Sequence, residues 1–405
     1  MRNFIIFEPA NLAPFGPLTL LRSVSELRYG IYSNHERTEK IFPEDQISLW
    51  VRPVLADDHT NRFPSTSINQ TAVENSIFLN ALVPAWIYPA AIEALGDSKA
   101  AVVTEEGCVI AARIGSEVGF NTQFHSVLTA LKTITCDNDL CKQIPGKIWD
   151  YGDLITPALD FDLKLWQANN NILTTISNEY STIDDKHIFI HNTAQIDKFV
   201  HFDSSQGPII IDEDCKINAF SSIIGPAYIG KTSTLKPSTH IRHSVVGRIC
   251  NLGGEIKSCI IHPHSNKSHE GFLGDSILGS WVNLGAGTTT SNLKNNYQPI
   301  RVSWDGHNYE TNRQFLGALI GDHTKTAIGV RLNTGTLIGP FCNVFQADFP
   351  PRAIPSFSWG NGTYELEKAI ATASKVMQRR NQELSPAMIA MFRELSEDND
   401  SFIHF

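Results

Sequence analysis

The sequence predicts an α/β domain, then a left-handed parallel β-helix of hexapeptide repeats, then a helical tail. Large aliphatic residues recur at every sixth position through the middle of the chain. Short β-like runs alternate with helix-like segments before that region, and an apolar stripe of helical period follows it.

The runs "FIIF", "SIFLNALV" and "AAVVT" read as strands, and "YPAAIEALGD" as a helix, which gives an α/β domain over 1–180. Its last helix is "DFDLKLWQANNNILTTIS", where Phe161, Leu165, Ala168, Ile172 and Ile176 share one face. The polar stretch "SNEYSTIDDKH" reads as a linker.

The β-helix follows over 187–358. Ile211, Ile217, Ile223, Ile229, Leu235 and Ile241 are six residues apart, and Cys215, Ser221, Ala227, Ser233, Thr239 and Val245 follow each by four. The phase returns at Phe272, Leu278 and Leu284, and again at Ile320, Thr326, Leu332 and Ile338. A triangular solenoid explains this period: each side turns one large residue inward, and each corner needs a small one. A β-sandwich with coincidental spacing is the alternative. The register breaks between Val246 and Phe272 and between Thr290 and Gln314 read as loops leaving the solenoid. The tail, 359–405, has a stripe of Leu366, Ile370, Ala373 and Met377, then a second helix capped by Ser385 with Pro386 in its first turn. Laid over the end of the solenoid, such helices would protect its open edge.

With 405 residues, 42% hydrophobic and 19% charged, the chain has the composition of a globular protein. A net charge of −9 argues against a general nucleic-acid binder, while a few lysines in a cleft still admit anionic small substrates. Seven scattered cysteines without a CxxC pair suit free thiols in a reducing compartment. No apolar run approaches the ~20 residues of a membrane span, so the expectation is a cytoplasmic protein.

In "SNKSHEGFLGDS", His269 is an imidazole outside any core pattern. Such a group suits proton abstraction near neutral pH, and Lys257 and Lys236 supply cations for a phosphate. A competing zinc reading starts from His264 and His269, with four residues between them, and His262 nearby. Its third ligand would be His240 or His243, in the manner of the γ-class carbonic anhydrases.

The segments "GGEIKS" and "NKSHEGFLGDSILGSWVNLGAGTTTSNLKNNY" resemble the acetyltransferase half of the bifunctional enzymes that make UDP-N-acetylglucosamine. The closer likeness is to an alternative bacterial branch of these GlmU-like proteins, with an atypical nucleotidyltransferase-like domain ahead of the β-helix. The resemblance implies His269 as catalytic base and Lys257 and Lys236 as sugar-phosphate contacts, with Glu255, Phe272 and Asn283 lining the substrate site. Phe272 stands where the family has a tyrosine. Ala286 and Asn292 fall on positions that touch acetyl-coenzyme A, Leu293 replaces a usual tyrosine, and Arg379 and Arg380 are candidates for missing coenzyme contacts. It also implies a homotrimer.

Sugar nucleotidyltransferases carry a glycine-rich loop, a PLT triplet and a proline-lysine pair. "FEPANLAPFGPLTLLRSVSELRYG" keeps the triplet through Thr19 but has only Gly16 nearby, and Ser23 and Val24 replace the pair. Arg22 and Arg28 are the candidate phosphate contacts, for UTP with Mg2+ if nucleotidyl transfer is retained. Asn80 ends a strand where a magnesium-binding aspartate is expected, and no motif marks a metal site. One alternative is a domain that keeps the fold without the activity; others are a sugar-phosphate nucleotidyltransferase with a structural or regulatory β-helix, and a non-catalytic scaffold.

Overall fold

The computed structural model describes the chain except residues 121–122, 137–138, 174–178, 399–401 and 403–405. The amino-terminal domain holds a seven-stranded sheet of β1 Asn3–Phe7, β2 Gln46–Trp50, β3 Ser67–Ile68, β4 Ile77–Asn80, β5 Ala100–Val103, β6 Val109–Arg113 and β7 Lys132–Thr135. Its order is β3-β2-β1-β4-β6-β5-β7, parallel except for β6. The order reverses between β1 and β4, which opens a crevice beyond their carboxyl ends.

Helices α1 (Asn34–Ile41) and α5 (Ile155–Gln167) are joined by a fully buried ion pair. Arg37 donates from Nε and Nη2 to Asp162 at 2.6 and 2.8 Å. The predicted last helix starts earlier and ends sooner than its apolar stripe implies. Asn169 and Asn170 turn their amides back onto the carbonyls of Leu165 and Trp166, which ends the helix. Ile172 then bridges to His191, and Ile176 lies outside the described residues.

The β-helix begins at Ser181–Ile183, inside the stretch read as a linker and ahead of residue 187. Its strands form three faces. Face A includes Ile209–Ile211, Ile260–Ile261, Ile277–Leu278, Ala318–Ile320 and Thr336–Ile338. Face B includes Lys216–Ile217, Thr234–Leu235, Asn251–Leu252, Asn266–Lys267 and Lys325–Thr326. Face C includes His201–Asp203, Glu255–Lys257, Phe272–Gly274, Thr289–Thr290 and Arg331–Leu332. Ser222–Ile229 and His240–Val246 bend through the corner between faces C and A.

The first register break is not a loop, which corrects the expectation. Face C strands start at Ser222, His240, Glu255, Phe272 and Thr289, so successive coils take 18, 15, 17 and 17 residues. The register shifts because coils are shortened. The sharpest cut is Gly253-Gly254, a two-residue corner with Gly254 at φ +77. The second break is a true insertion carrying the hairpin Arg301–Trp304 and His307–Glu310.

Face A is covered. Its outward residues Ile210, Tyr228, Val245, Ile260, Ile277, Leu319 and Leu337 are buried in one cluster with Leu20, Tyr151 and Leu159 of the first domain. The inward residues form a separate lumen cluster that includes Cys215, Cys250, Cys259 and Cys342 as free thiols.

The tail forms α6 (Leu366–Gln378) and α7 (Pro386–Glu397), with Ser385 accepting from the Met388 N–H. These helices do not cap the end of the solenoid. They lie along its A–B corner, where outward rings of His264, Trp281, His323, Phe341 and Phe357 stack in a column. Phe392 of α7 meets Phe341 edge-on at 4.7 Å, and the far side of α7 contacts α2 (Ala56–Arg62). This ring column offers α7 a larger apolar surface than a strand edge does.

Candidate functional site

Face C alternates buried and exposed residues, so every second side chain points outward. Ile241, Ile256 and Leu273 fill the lumen, while Arg242, Glu255, Lys257 and Phe272 lie outside. Strand register pairs Arg242 with Lys257, Glu255 with Phe272, and Lys257 with Gly274. Two cations therefore stand on adjacent strands, about 4.8 Å apart at the backbone. Each has only a loose carboxylate partner: Arg242 to Glu255 at 3.8 Å and Lys257 to Asp275 at 3.9 Å. The Lys257 ammonium also lies 4.8 Å from the Phe315 ring centre.

The Phe272 ring lies back over Gly274, where any Cβ would strike it. Asn292 closes this cluster by donating to Asp275 at 2.6 Å. The resemblance placed Asn292 on the coenzyme, but its amide is engaged beside the cation pair.

His269 is exposed in the B–C corner, three residues before the face C strand that carries Phe272. Ala286 occupies the same corner one coil further on, its carbonyl accepting from the Gly329 N–H at 2.7 Å. Asn283 lies across this corner on face B, bridged to Asn266 and Lys325. Lys236 is also at the B–C corner, one coil below the Gly253 corner that leads into the Lys257 strand, its N–H donating to the Leu252 carbonyl. Lys236 and Lys257 are not neighbours. Arg242 holds the place expected of Lys236, and the sequence carries a signal for it: "HIR" and "EIK" put a cation just after the same inward isoleucine.

The histidines of the zinc reading do not converge. His264 stacks on Trp281 at 4.0 Å at the A–B corner, one face away from His269. His262 receives Arg22 Nη1 on its Nδ1 at 2.7 Å. His243 lies between Thr156 and Ser258 at 3.2 and 3.3 Å. Among the described residues no group of three or more His, Cys, Asp or Glu side chains could hold a metal ion. Burial and the Arg22 and Arg28 guanidiniums hold His262 well below the usual imidazole range, and burial with Arg248 and Arg380 lowers His264 to about 4.

In the first domain the crevice beyond β1 is filled from within. Glu8 accepts from the N–H groups of Val24 and Arg52 at 3.0 and 2.8 Å. The Arg52 guanidinium returns to Glu8 and to the carbonyls of Thr19, Arg22 and Phe402. A buried carboxylate thus occupies amides that a glycine-rich loop would offer to phosphate. The Thr19 side chain is enclosed. Arg22 crosses to the β-helix and bonds Ser280 and Asp322, and Arg28 pairs with Glu36 at 2.6 Å. Asn80 is buried, donating to the Val109 carbonyl and accepting from the Leu82 N–H.

A cavity of about 580 Å³ remains where the first domain, the β-helix and the tail meet. Arg22, Arg28, Arg62 and Arg248 line it, facing Trp281 and Met388.

Residues 4–171 match the family model for sugar nucleotidyl transferase. The amino-terminal domain is nucleotidyltransferase-like over these residues. A bifunctional sugar-1-phosphate nucleotidylyltransferase/acetyltransferase of Sulfurisphaera tokodaii is 31% identical over 183 residues, 44% of each chain. A bifunctional GlmU protein of Methanococcus vannielii is 34% identical over 125 residues, 29% of each chain. The matched stretches thus span less than half the length of these relatives. Among solved structures, the UDP-N-acetylglucosamine acyltransferase of Francisella novicida aligns at a TM-score of 0.30 with 15% identity, over 56% of this chain and 89% of that one.

In this nucleotidyltransferase-like domain the carboxylates at the cavity are already engaged. Glu26 meets His59 and Arg62 at 2.7 and 2.5 Å, Asp58 meets Arg62 at 2.7 Å, and Glu36 and Asp322 hold Arg28 and Arg22. These carboxylates, each bound to a guanidinium or imidazole, do not offer magnesium an open donor set. No helix among the described residues is long and apolar enough to cross a membrane.

Proposed function

We propose that face C and the B–C corner transfer an acetyl group from acetyl-coenzyme A to the amino group of a sugar phosphate, with glucosamine 1-phosphate as the first candidate. The observation that carries this reading is the Arg242–Lys257 pair on face C with an exposed imidazole in the adjoining corner. The cations hold the phosphate and fix the sugar against the corner. His269 removes the ammonium proton, because only a neutral amine attacks the thioester carbonyl; the thiolate of coenzyme A then leaves and is protonated. Glu255 and Phe272 border the sugar, Asn283 approaches from face B, and Ala286 leaves room for the pantetheine arm.

A homotrimer belongs to this reading. With face A covered, faces B and C remain for neighbouring copies, and exposed Phe199, Phe220 and Ile328 line the same corner as His269. His269 would then face a neighbour's coenzyme-binding coils.

The cavity lined by Arg22 and Arg28 favours a second activity, nucleotidyl transfer from UTP to a sugar 1-phosphate. The family match of the first domain supports it. One incubation tests both: protein with glucosamine 1-phosphate, acetyl-coenzyme A, UTP and magnesium, products identified by mass. His269→Ala is expected to lower acetyl transfer about 10²-fold or more with folding intact. Undiminished acetyl transfer by that variant removes the reading, whatever happens to UTP.

A further inference from the structure

On face B the second residue of each strand points into the lumen. From coil to coil it is Ile217, Leu235, Leu252, Lys267, Leu284, Thr326 and Val344. A lysine is out of place in this series. Lys267 is only 2% exposed, and Leu252 is its register partner. An ammonium here is costly unless its protons are accepted, and an aliphatic residue would fill the same space without that penalty.

Its partners explain the choice. Lys267 Nζ donates to the carbonyl of Gly253 at 2.9 Å and to that of His269 at 2.6 Å. In two lower turns of the B–C corner, a hydroxyl closes the turn onto the carbonyl three residues before it. Ser221 donates to Asn218 at 2.7 Å, and Thr239 to Lys236 at 2.6 Å. The turn bearing His269 has Gly271 at the closing position, with φ +119 and the Thr288 carbonyl where a Cβ would go. No hydroxyl side chain fits there. The turn is closed from inside instead.

Below it, the shortened corner brings Gly253 against the backbone of Ser268 and His269. This contact and the lysine hold the turn from two sides. We propose that Lys267 is a positioning residue for His269: from the lumen, its ammonium fixes the main chain of the turn that presents the imidazole. The proposal rests on the acetyl-transfer reading. Burial draws Lys267 down to about 8, with Glu270 opposing the shift, so the group remains an ammonium at neutral pH.

A double-mutant cycle tests this with Lys267→Met, His269→Ala and the double variant, scored by coenzyme A release and thermal melting. Methionine matches the apolar lumen in volume and removes the donor. The expected result is a kcat loss of about tenfold in Lys267→Met, KM for acetyl-coenzyme A within twofold, and no further loss when His269 is already alanine. Equal losses in both backgrounds, or full turnover by Lys267→Met, overturn the proposal. Full turnover by His269→Ala overturns the acetyl-transfer reading instead. If Lys267→Met does not fold, Lys267→Gln carries the same cycle: its shorter amide reaches at most one of the two carbonyls, and a smaller, still background-dependent loss is expected.

Discussion

Replacing Arg242 by alanine separates two versions of the phosphate site. Register puts Arg242 beside Lys257, whereas Lys236 lies one coil below and back across the B–C corner, under Gly253. Gly253, above Lys236, is four residues before Lys257, at most about 13 Å at about 3.3 Å per residue and on the order of one screening length in 0.1 M salt. A hydrogen bond to a charged group contributes about 1.5–3 kcal/mol. Arg242 is half exposed, so solvent reduces this toward the lower end, about 1.4 kcal/mol or roughly tenfold. The expectation is a tenfold rise in KM for glucosamine 1-phosphate in Arg242→Ala, with kcat little changed. The effect shrinks as salt is added. Lys236→Ala stays within twofold. Initial rates at 50 and 300 mM salt, with acetyl-coenzyme A saturating, supply the comparison. A tenfold KM rise in Lys236→Ala, with Arg242→Ala unchanged, would refute the register argument.

Phe272→Tyr carries a hydroxyl over Gly274 toward the Asn292–Asp275 pair, and KM for the sugar phosphate should fall by up to about fivefold, roughly one hydrogen bond. Steady-state kinetics with one sugar phosphate decide it. Arg37→Leu strips a fully buried carboxylate of its partner and should cost about 3–5 kcal/mol in urea unfolding, most of it regained when Asp162→Leu is added. Acid should destabilise the native state through its neutral, buried histidines. The native imidazole of His264 is lowered to about 4, whereas the unfolded ring titrates near ~6.5. Between those values the unfolded state binds more protons, so stability falls as pH drops. His264→Phe keeps the stack on Trp281 and should remove up to about 2 kcal/mol of the loss between pH 7 and 4.5, measured by urea unfolding.

The six-residue period announced the β-helix because one inward aliphatic per side is a strict demand of a narrow lumen. The same text held a second signal. In "PIII", "SVV" and "CII" the outward residue is apolar as well, since face A is buried on both sides. The period alone did not separate a shortened coil from a loop: both move the phase, and only the strand pairing of His240 with Glu255 tells them apart. The family resemblance points to Lys236 rather than Arg242 as the phosphate contact because it is carried across that shortened coil, where the two sequences differ in length. The Glu8–Arg52 tie was illegible for another reason. Its partners are far apart in sequence and belong to no periodic pattern. The helical tail was legible as helices but not in its docking, because the ring column that receives Phe392 assembles from corners of five different coils.

The covered face binds the two halves of this chain into one heritable unit. Ile210, Tyr228, Val245, Ile260, Ile277, Leu319 and Leu337 are as much the interior of the first domain as the exterior of the second. A gene split between them would release two sticky surfaces, and a recombinant carrying a foreign partner would have to match seven side chains at once. Drift in either domain is therefore answerable to the other. Whatever each half does, the two are present in fixed one-to-one proportion.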